Sequence, residues 1–257
     1  MIDVITEVLE KSSLITAFAF VGLLVWLSYR VSDKLSNGRI HGSAIAIALG
    51  LVLAWIGGLV AGGSKGLADI SIFAGIGIMG GAMFRDFAIV ATAFGADAAA
   101  LREAGWIAAL SVVIGVVLSF VVGAIVAVAF GYTDAAEIST IGAGAATYIV
   151  GPVTGTALGV DSAVIALSVA AGLTKSVLVM IGTPLVAGRI GLTTPHAAMI
   201  YGGLMGTTSG VAGGLAATDP KLVPYGAMTA TFYTGVGCLL APSILYLVVR
   251  MIIGTET

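Results

Sequence analysis

Two stretches of the chain place hydroxyls and glycines inside apolar sequence: residues 140–161, TIGAGAATYIVGPVTGTALGVD, and residues 201–219, YGGLMGTTSGVAGGLAATD. Thr154, Thr156, Thr207, Thr208 and Ser209 offer oxygen donors, and carbonyls freed by an interrupted helix offer more; such oxygens suit a small hard cation. The same interruptions create half-helix N-termini, whose unpaired amides and partial positive charge suit a carboxylate. Lys175 lies halfway along the apolar run 163–186. A lysine at the centre of a bilayer costs roughly 2.5 to 3.5 kcal/mol on insertion scales, so it must have a partner. It either faces a cavity and counters an anionic substrate, or its ammonium caps carbonyls freed by a neighbouring broken helix. The chemistry these residues suggest is the carriage of a small carboxylate together with Na+ or H+.

The elements that hold them follow from composition. The chain has 257 residues, of which 59% are hydrophobic and 9% charged, against about a quarter charged in soluble domains. With a mean hydropathy of +1.13, it reads as an integral membrane protein. In hydrocarbon a freed amide or carbonyl finds no water, so irregular backbone survives only where it is buried in protein or lines a cavity. The two Gly-rich stretches are expected to break: glycine costs about 1 kcal/mol per helical position relative to alanine, and proline, here Pro152, about 3. The 37 glycines predict helices that pack backbone to backbone through small residues. A net charge of −2 without a basic tract gives no sign of nucleic-acid binding. Cys238 is the single cysteine, which excludes an internal disulfide or a cysteine metal cluster.

Runs of about 20 apolar residues predict an all-α, polytopic protein with eight spans: 14–31, 42–62, 67–84, 106–130, 138–160, 163–186, 197–217 and 223–253. Residues 1–13, with acidic early charges and one apolar face, read as an interfacial helix and not a secretory signal. The basic loop carrying Arg30, Lys34 and Arg39 is expected on the cytoplasmic side. Arg85 and Asp86 interrupt an apolar run that resumes through Phe94: either the third span ends at Phe84 with an amphipathic segment after it, the preferred reading, or it is a longer broken element with a charge pair inside. This divides the chain into the interfacial helix 1–13, a scaffold-like half 14–130 and a transport core 131–257.

An internal repeat supports that core. An interval of 58 positions relates Asp161 to Asp219, Pro184 to Pro242, Gly155 to Gly213 and Gly144 to Gly202. Interrupted spans at corresponding positions of two repeats are a sequence pointer to a transporter's binding site. The copies are parallel if each makes two full crossings and inverted if a Gly-rich block is re-entrant. Asp161 and Asp219 sit at span exits, and Asp219, followed by Pro220, is a turn signal first and an ion ligand second. Gly75-Ile-Gly77-Ile-Met-Gly80 fits a dinucleotide fingerprint but lies in an apolar span with no strand before it. His41 and His196 stand alone at borders. No HExxH or Walker loop is present, so an enzyme has little to work with.

The segments RIHGSAIAIALGLVLAWIGG, FRDFAIVATAFG, TIGAGAATYIVGPVTGTALG and GLMGTTSGVAGGLAATDPKLVPYGAMTATFYTGVGCLLAPS resemble the large subunit, MadM, of the bacterial malonate/sodium symporter, and the resemblance covers nearly the whole chain. It implies a malonate carrier coupled to Na+ that works with a smaller membrane subunit, MadL, in the bacterial inner membrane. More distantly, the paired pattern is similar to two-subunit LrgA/LrgB-type carriers of small hydroxy acids, which suggests an elevator-type core sliding against a scaffold. On this reading Thr147, Tyr148, Gly151, Pro152, Gly155, Lys175, Thr207, Thr208, Gly210 and Gly213 bind substrate. Thr154, Thr156, Ser209, Gly214 and Asp219 bind Na+, which serves as coupling ion; no cofactor or transition metal is expected. The expected partners are malonate, Na+, the lipid bilayer, a MadL-like subunit and, in a higher oligomer, further copies of the chain. Carriage of another small carboxylate such as glycolate or glycerate, or coupling to H+, is the nearest alternative. A holin-like pore and a non-transporting scaffold subunit are alternatives of other classes.

Overall fold

The computed structural model describes residues 2–36, 42–63, 65–79 and 98–254, and every element among them is helical. Its contacts fall into two units, Met1–Val90 and Ala91–Thr257.

In the first unit, α1 (Ile2–Lys11) leads into α2 (Ser13–Ser36), and α3 (Gly42–Ala61) packs on α2. The chain then turns back through two 3-10 segments, Gly66–Asp69 and Ser71–Phe73, into the single turn α4 (Gly75–Ile78). Gly66, at φ +62°, makes that reversal against Ala54, a conformation with little penalty only for glycine. Ser71 Oγ donates to Glu10 Oε1 at 2.5 Å, and the rings of Phe20 and Phe73 lie 4.7 Å apart. Arg39, His41, Arg85 and Asp86 lie outside the described residues.

The second unit opens with α5 (Ala98–Ala129), which is bent at Gly105. There follow α6 (Ala135–Ala146), α7 (Val150–Leu158), the long α8 (Ser162–Val186), α9 (Pro195–Met205) and α10 (Thr208–Ala216). A 3-10 turn, Pro220–Leu222, leads into α11 (Val223–Leu240), which passes through a π-helical segment, Ala241–Leu245, into α12 (Tyr246–Ile253). Pro242 lies in that segment, where its missing amide removes one rung of the helix ladder.

Among the described residues, five helical stretches are long and apolar enough to cross a membrane: Ser13–Lys34, Ile45–Phe73, Gly105–Ala129, Ser162–Val186 and Pro220–Ile253. The protein is therefore multi-pass, but the described residues give five candidates where hydropathy predicts eight. The expected third span, 67–84, begins as 3-10 turns inside the second candidate. The other two differences are the Gly-rich stretches. Each is a pair of short helices: 12 and 9 residues in the first, 11 and 9 in the second. At 1.5 Å per residue these reach about 14 to 18 Å, roughly half a hydrocarbon core of about 30 Å.

Each pair doubles back on itself. Along α6 and α7, Gly151 lies against Gly144 and Gly155 against Thr140, an antiparallel pairing. In the second pair, Gly226 of α11 touches both Ala198 near the start of α9 and Leu215 near the end of α10, so the two ends stand at one level. The tips are Thr147–Ile149 and Gly206–Thr207. Asp134 caps α6, its carboxylate accepting from the amides of Ala136 and Glu137 at 2.9 Å, and Thr194 caps α9 ahead of Pro195. The first break does not lie at Pro152. That proline occupies the opening turn of α7, where no intrahelical amide bond is needed and its fixed φ suits the helix.

Candidate functional site

Helix α8 is the rod on which both hairpins lie. Gly155 packs against Ile165, Gly144 and Gly151 against Ser168, and Tyr148 against Gly172. Further along, Gly210 packs against Ser176, Gly213 against Met180 and Gly214 against Thr183. The stripe 165, 168, 172, 176, 180, 183 has the three- and four-residue spacing of one helix face. Its first half receives the first hairpin and its second half the other, so the tips converge on the middle of α8. A Cβ on Gly172 would overlap the backbone of Tyr148, which is why the approach needs glycine.

Lys175 stands at that convergence. Its ammonium donates to the Ala146 carbonyl at 2.8 Å, to Ser119 Oγ at 2.9 Å and to Tyr233 Oη at 3.3 Å. All three protons are thereby engaged. Ala146 is the last residue of α6, so its carbonyl belongs to the group that a helix end leaves unpaired and carries the negative end of the helix dipole. Among the described residues no carboxylate pairs with Lys175: the ion pair found there is Lys11 with Glu7, in the first unit.

The second tip is tied to the same place. Tyr233, fully buried, donates from Oη to the Gly115 carbonyl at 3.1 Å, and its ring supports Gly206, whose φ of +69° turns the chain from α9 into α10. The Lys175 ammonium lies 5.1 Å from the centre of that ring, within cation–π range. One residue on from Lys175, Ser176 Oγ makes a short hydrogen bond with Thr207 Oγ1. Neither α7 nor α10 has a side-chain cap. In α7 the Val150 and Gly151 amides donate to the Thr147 carbonyl at 3.0 and 3.3 Å and Pro152 has no amide hydrogen, whereas the first-turn amides of α10 have no side-chain acceptor at the N-cap.

Of the residues singled out from sequence, Thr147 and Tyr148 at the first tip and Thr207 and Thr208 at the second come to the middle of α8, with Lys175 between them. Gly151, Gly155, Gly210 and Gly213 serve as close-packing positions along α8, and Pro152 as a helix-starting residue. Thr154 is fully buried, and its Oγ1 has no hydrogen-bond partner among the described residues. Thr156 is exposed and Ser209 half-buried, while Gly214 fits against Thr183. Asp219 is at the base of the second hairpin, away from the tips, where it accepts from the Lys221 amide at 3.0 Å. Asp161 sits correspondingly at the base of the first, beside Ser162.

Ser119, Ser176 and Tyr233 join the site without having been singled out. Ser119 had a signal in the spacing of Gly115, Ser119 and Gly123, four apart on one face of α5. Gly115 receives the backbone of Gly203 and Leu204 from α9, and Gly123 receives Gly142 and Ala145 from α6. Tyr233 lies 58 positions after Lys175, the interval already noted.

Two cavities flank this arrangement without including Lys175. One, of about 690 Å3, lies between α8 and α9 and is apolar except where Thr183 Oγ1 meets Tyr201 Oη at 2.7 Å. The other, of about 290 Å3, runs between α5 and α12 past Phe120 and Val249.

Comparison with curated proteins and with solved structures returns no match. A family model does match, over residues 5–253; it describes the malonate/sodium symporter MadM subunit.

Proposed function

The chain belongs to the family of the malonate/sodium symporter MadM subunit, a transporter subunit and not an enzyme, and we propose that it is the translocating subunit of a secondary carrier that imports malonate with Na+. The observation that carries this reading is the convergence of two half-helix tips on one cationic side chain, Lys175, in the middle of a membrane-length helix. A dicarboxylate needs positive charge and amide donors inside a low-dielectric site. Lys175 supplies the charge, and the uncapped first turn of α10 supplies the donors. Thr147, Tyr148, Thr207 and Thr208 line the approach. Thr154 contributes a ligand oxygen to Na+, since a buried hydroxyl without a partner costs roughly 1 to 3 kcal/mol unless something occupies it.

The 58-residue interval supports an inverted repeat. It relates the first residue of α7, Val150, to that of α10, Thr208, and the last, Leu158, to Ala216. Two re-entrant hairpins entering from opposite ends of α8 are the geometry of such a repeat. We assign the carrier to the bacterial inner membrane, with a small MadL-like subunit as partner. Transport by an elevator-like movement of the hairpin core rests on the likeness to other two-subunit carriers.

The test is uptake of labelled malonate by both subunits co-reconstituted in proteoliposomes, with Na+ and pH gradients imposed separately and acetate, glycolate and succinate as competitors. Uptake driven by the Na+ gradient, and competed best by unlabelled malonate, is the expected result. Flux that neither gradient drives would replace the carrier with a pore.

A further inference from the structure

The Lys175 ammonium is solvated as an alkali cation would be. It sits on one main-chain carbonyl and two hydroxyl oxygens, from Ala146, Ser119 and Tyr233, at 2.8, 2.9 and 3.3 Å. All three ligands are neutral, and the carbonyl lies at the negative end of α6. We infer that these three oxygens form a coupling-cation site, held by Lys175 in the empty carrier and vacated when the substrate carboxylate draws the ammonium away.

Charge balance gives the reason. Two monovalent cations a few ångströms apart in a poorly polarisable interior repel by several kcal/mol, so Na+ is excluded while the ammonium is in place. An anion that pairs with Lys175 neutralises it and releases the carbonyl and hydroxyl oxygens, which then lack the donor they accept from, although the Tyr233 hydroxyl still donates to Gly115. Leaving them empty is costly, and a small hard cation satisfies them. The carboxylate, now adjacent, completes the cation's shell and offsets its charge. Anion binding thus creates the cation site, and neither partner is stable there alone.

Position supports the assignment. Ser119 comes from α5, Ala146 from the first tip, and Tyr233 from α11, where its ring carries Gly206 of the second tip. A cation on these oxygens joins both tips to α5. The site is separate from the oxygen of Thr154, which is not among the three ligands.

The inference rests on the carriage of a small carboxylate, and its test separates the two claims. Binding of 22Na+ is measured on the purified full-length chain, co-expressed with its small subunit, with and without malonate. The wild-type protein is expected to bind Na+ at least about tenfold more tightly when malonate is present. Lys175→Met, which keeps the length of the side chain and removes the charge, is expected to bind Na+ without malonate, and adding Ser119→Ala is expected to reverse that gain. Lys175→Met that elutes and folds like the wild type yet gains no Na+ binding overturns the inference. If Lys175→Met does not fold, Ser119→Ala and Tyr233→Phe decide. Each should raise the Na+ concentration for half-maximal malonate uptake about tenfold, with malonate KM at saturating Na+ unchanged, and an unmoved Na+ response overturns the site. Na+ binding gained by Lys175→Met, where the wild-type protein itself transports no malonate, upholds the cation site and discards the substrate.

Discussion

Lys175 and Tyr233 touch across the middle of the helical core, ammonium to hydroxyl at 3.3 Å and ammonium to ring centre at 5.1 Å, and they are 58 positions apart in sequence. The same interval relates the starts and the ends of α7 and α10. Under the inverted repeat proposed above, residues at equivalent places in the two halves would meet where the axis between them passes, and that place would be the convergence of the two helix breaks.

Replacing Lys175 by alanine is expected to abolish malonate uptake in proteoliposomes while leaving the protein assembled. It removes the one cationic group at the tips and strands the Ala146 carbonyl, at a cost of about 1 to 3 kcal/mol. The measurement is uptake beside thermal unfolding in detergent. Normal uptake would remove Lys175 from the mechanism.

Two glycines of α8 should respond in opposite ways. A methyl group on Gly172 meets the backbone of Tyr148 and Gly144, which cannot yield, whereas one on Gly182 meets nothing within 4 Å. Gly172→Ala is expected to lower stability by about 3 kcal/mol and to disorder the first tip. Gly182→Ala should lose nothing and gain up to about 1 kcal/mol from helix propensity. Equal melting temperatures for the two variants would contradict the packing of the first hairpin on α8.

Thr154→Val swaps a buried, unpartnered hydroxyl for a methyl group of the same shape. The expected outcome is a gain in stability of about 1 kcal/mol together with a higher half-saturating Na+ concentration and a preserved maximal rate. A Na+ response curve that Thr154→Val leaves in place would withdraw Thr154 from ion binding.

The Ser176–Thr207 hydrogen bond joins α8 to the second tip. Ser176→Ala leaves the buried Thr207 hydroxyl without its partner, whereas Thr207→Val leaves Ser176 still bonded to the Gly172 carbonyl at 3.0 Å. Both single variants break the same bond, so the double variant should lose less than the two single losses together. A double-mutant cycle on thermal unfolding should give a coupling of at least about 1 kcal/mol. A coupling near zero would mean that the bond does not hold the tip.

Much of this architecture is legible in the chain, for identifiable reasons. Hydropathy locates α5 and α8 because both are long and continuously apolar. Hydropathy overcounts elsewhere because 138–160 and 197–217 are long enough to cross, while their glycines and hydroxyls favour a turn halfway. The breaks announce themselves through composition, but their positions do not: Pro152 attracts the eye, yet the chain turns at Thr147, where a carbonyl can be handed to a lysine on another helix. Lys175 is conspicuous because a charge in apolar sequence demands a partner. Ser119 and Tyr233 are inconspicuous because hydroxyls are common in membrane helices, and only the fold reveals which of them that partner is. Asp219 has the type of an ion ligand, but its carboxylate is engaged by a turn.

The stripe on α8 has one more implication. Because a single rigid element bears the ends of both re-entrant loops, neither loop can part from its neighbour toward one compartment without dragging the other along. In the symporter proposed above, leakage of either solute by itself would therefore be discouraged by the skeleton, before any gate is considered, and a flexible joint inserted near Gly172 should turn a tight machine into a slipping one.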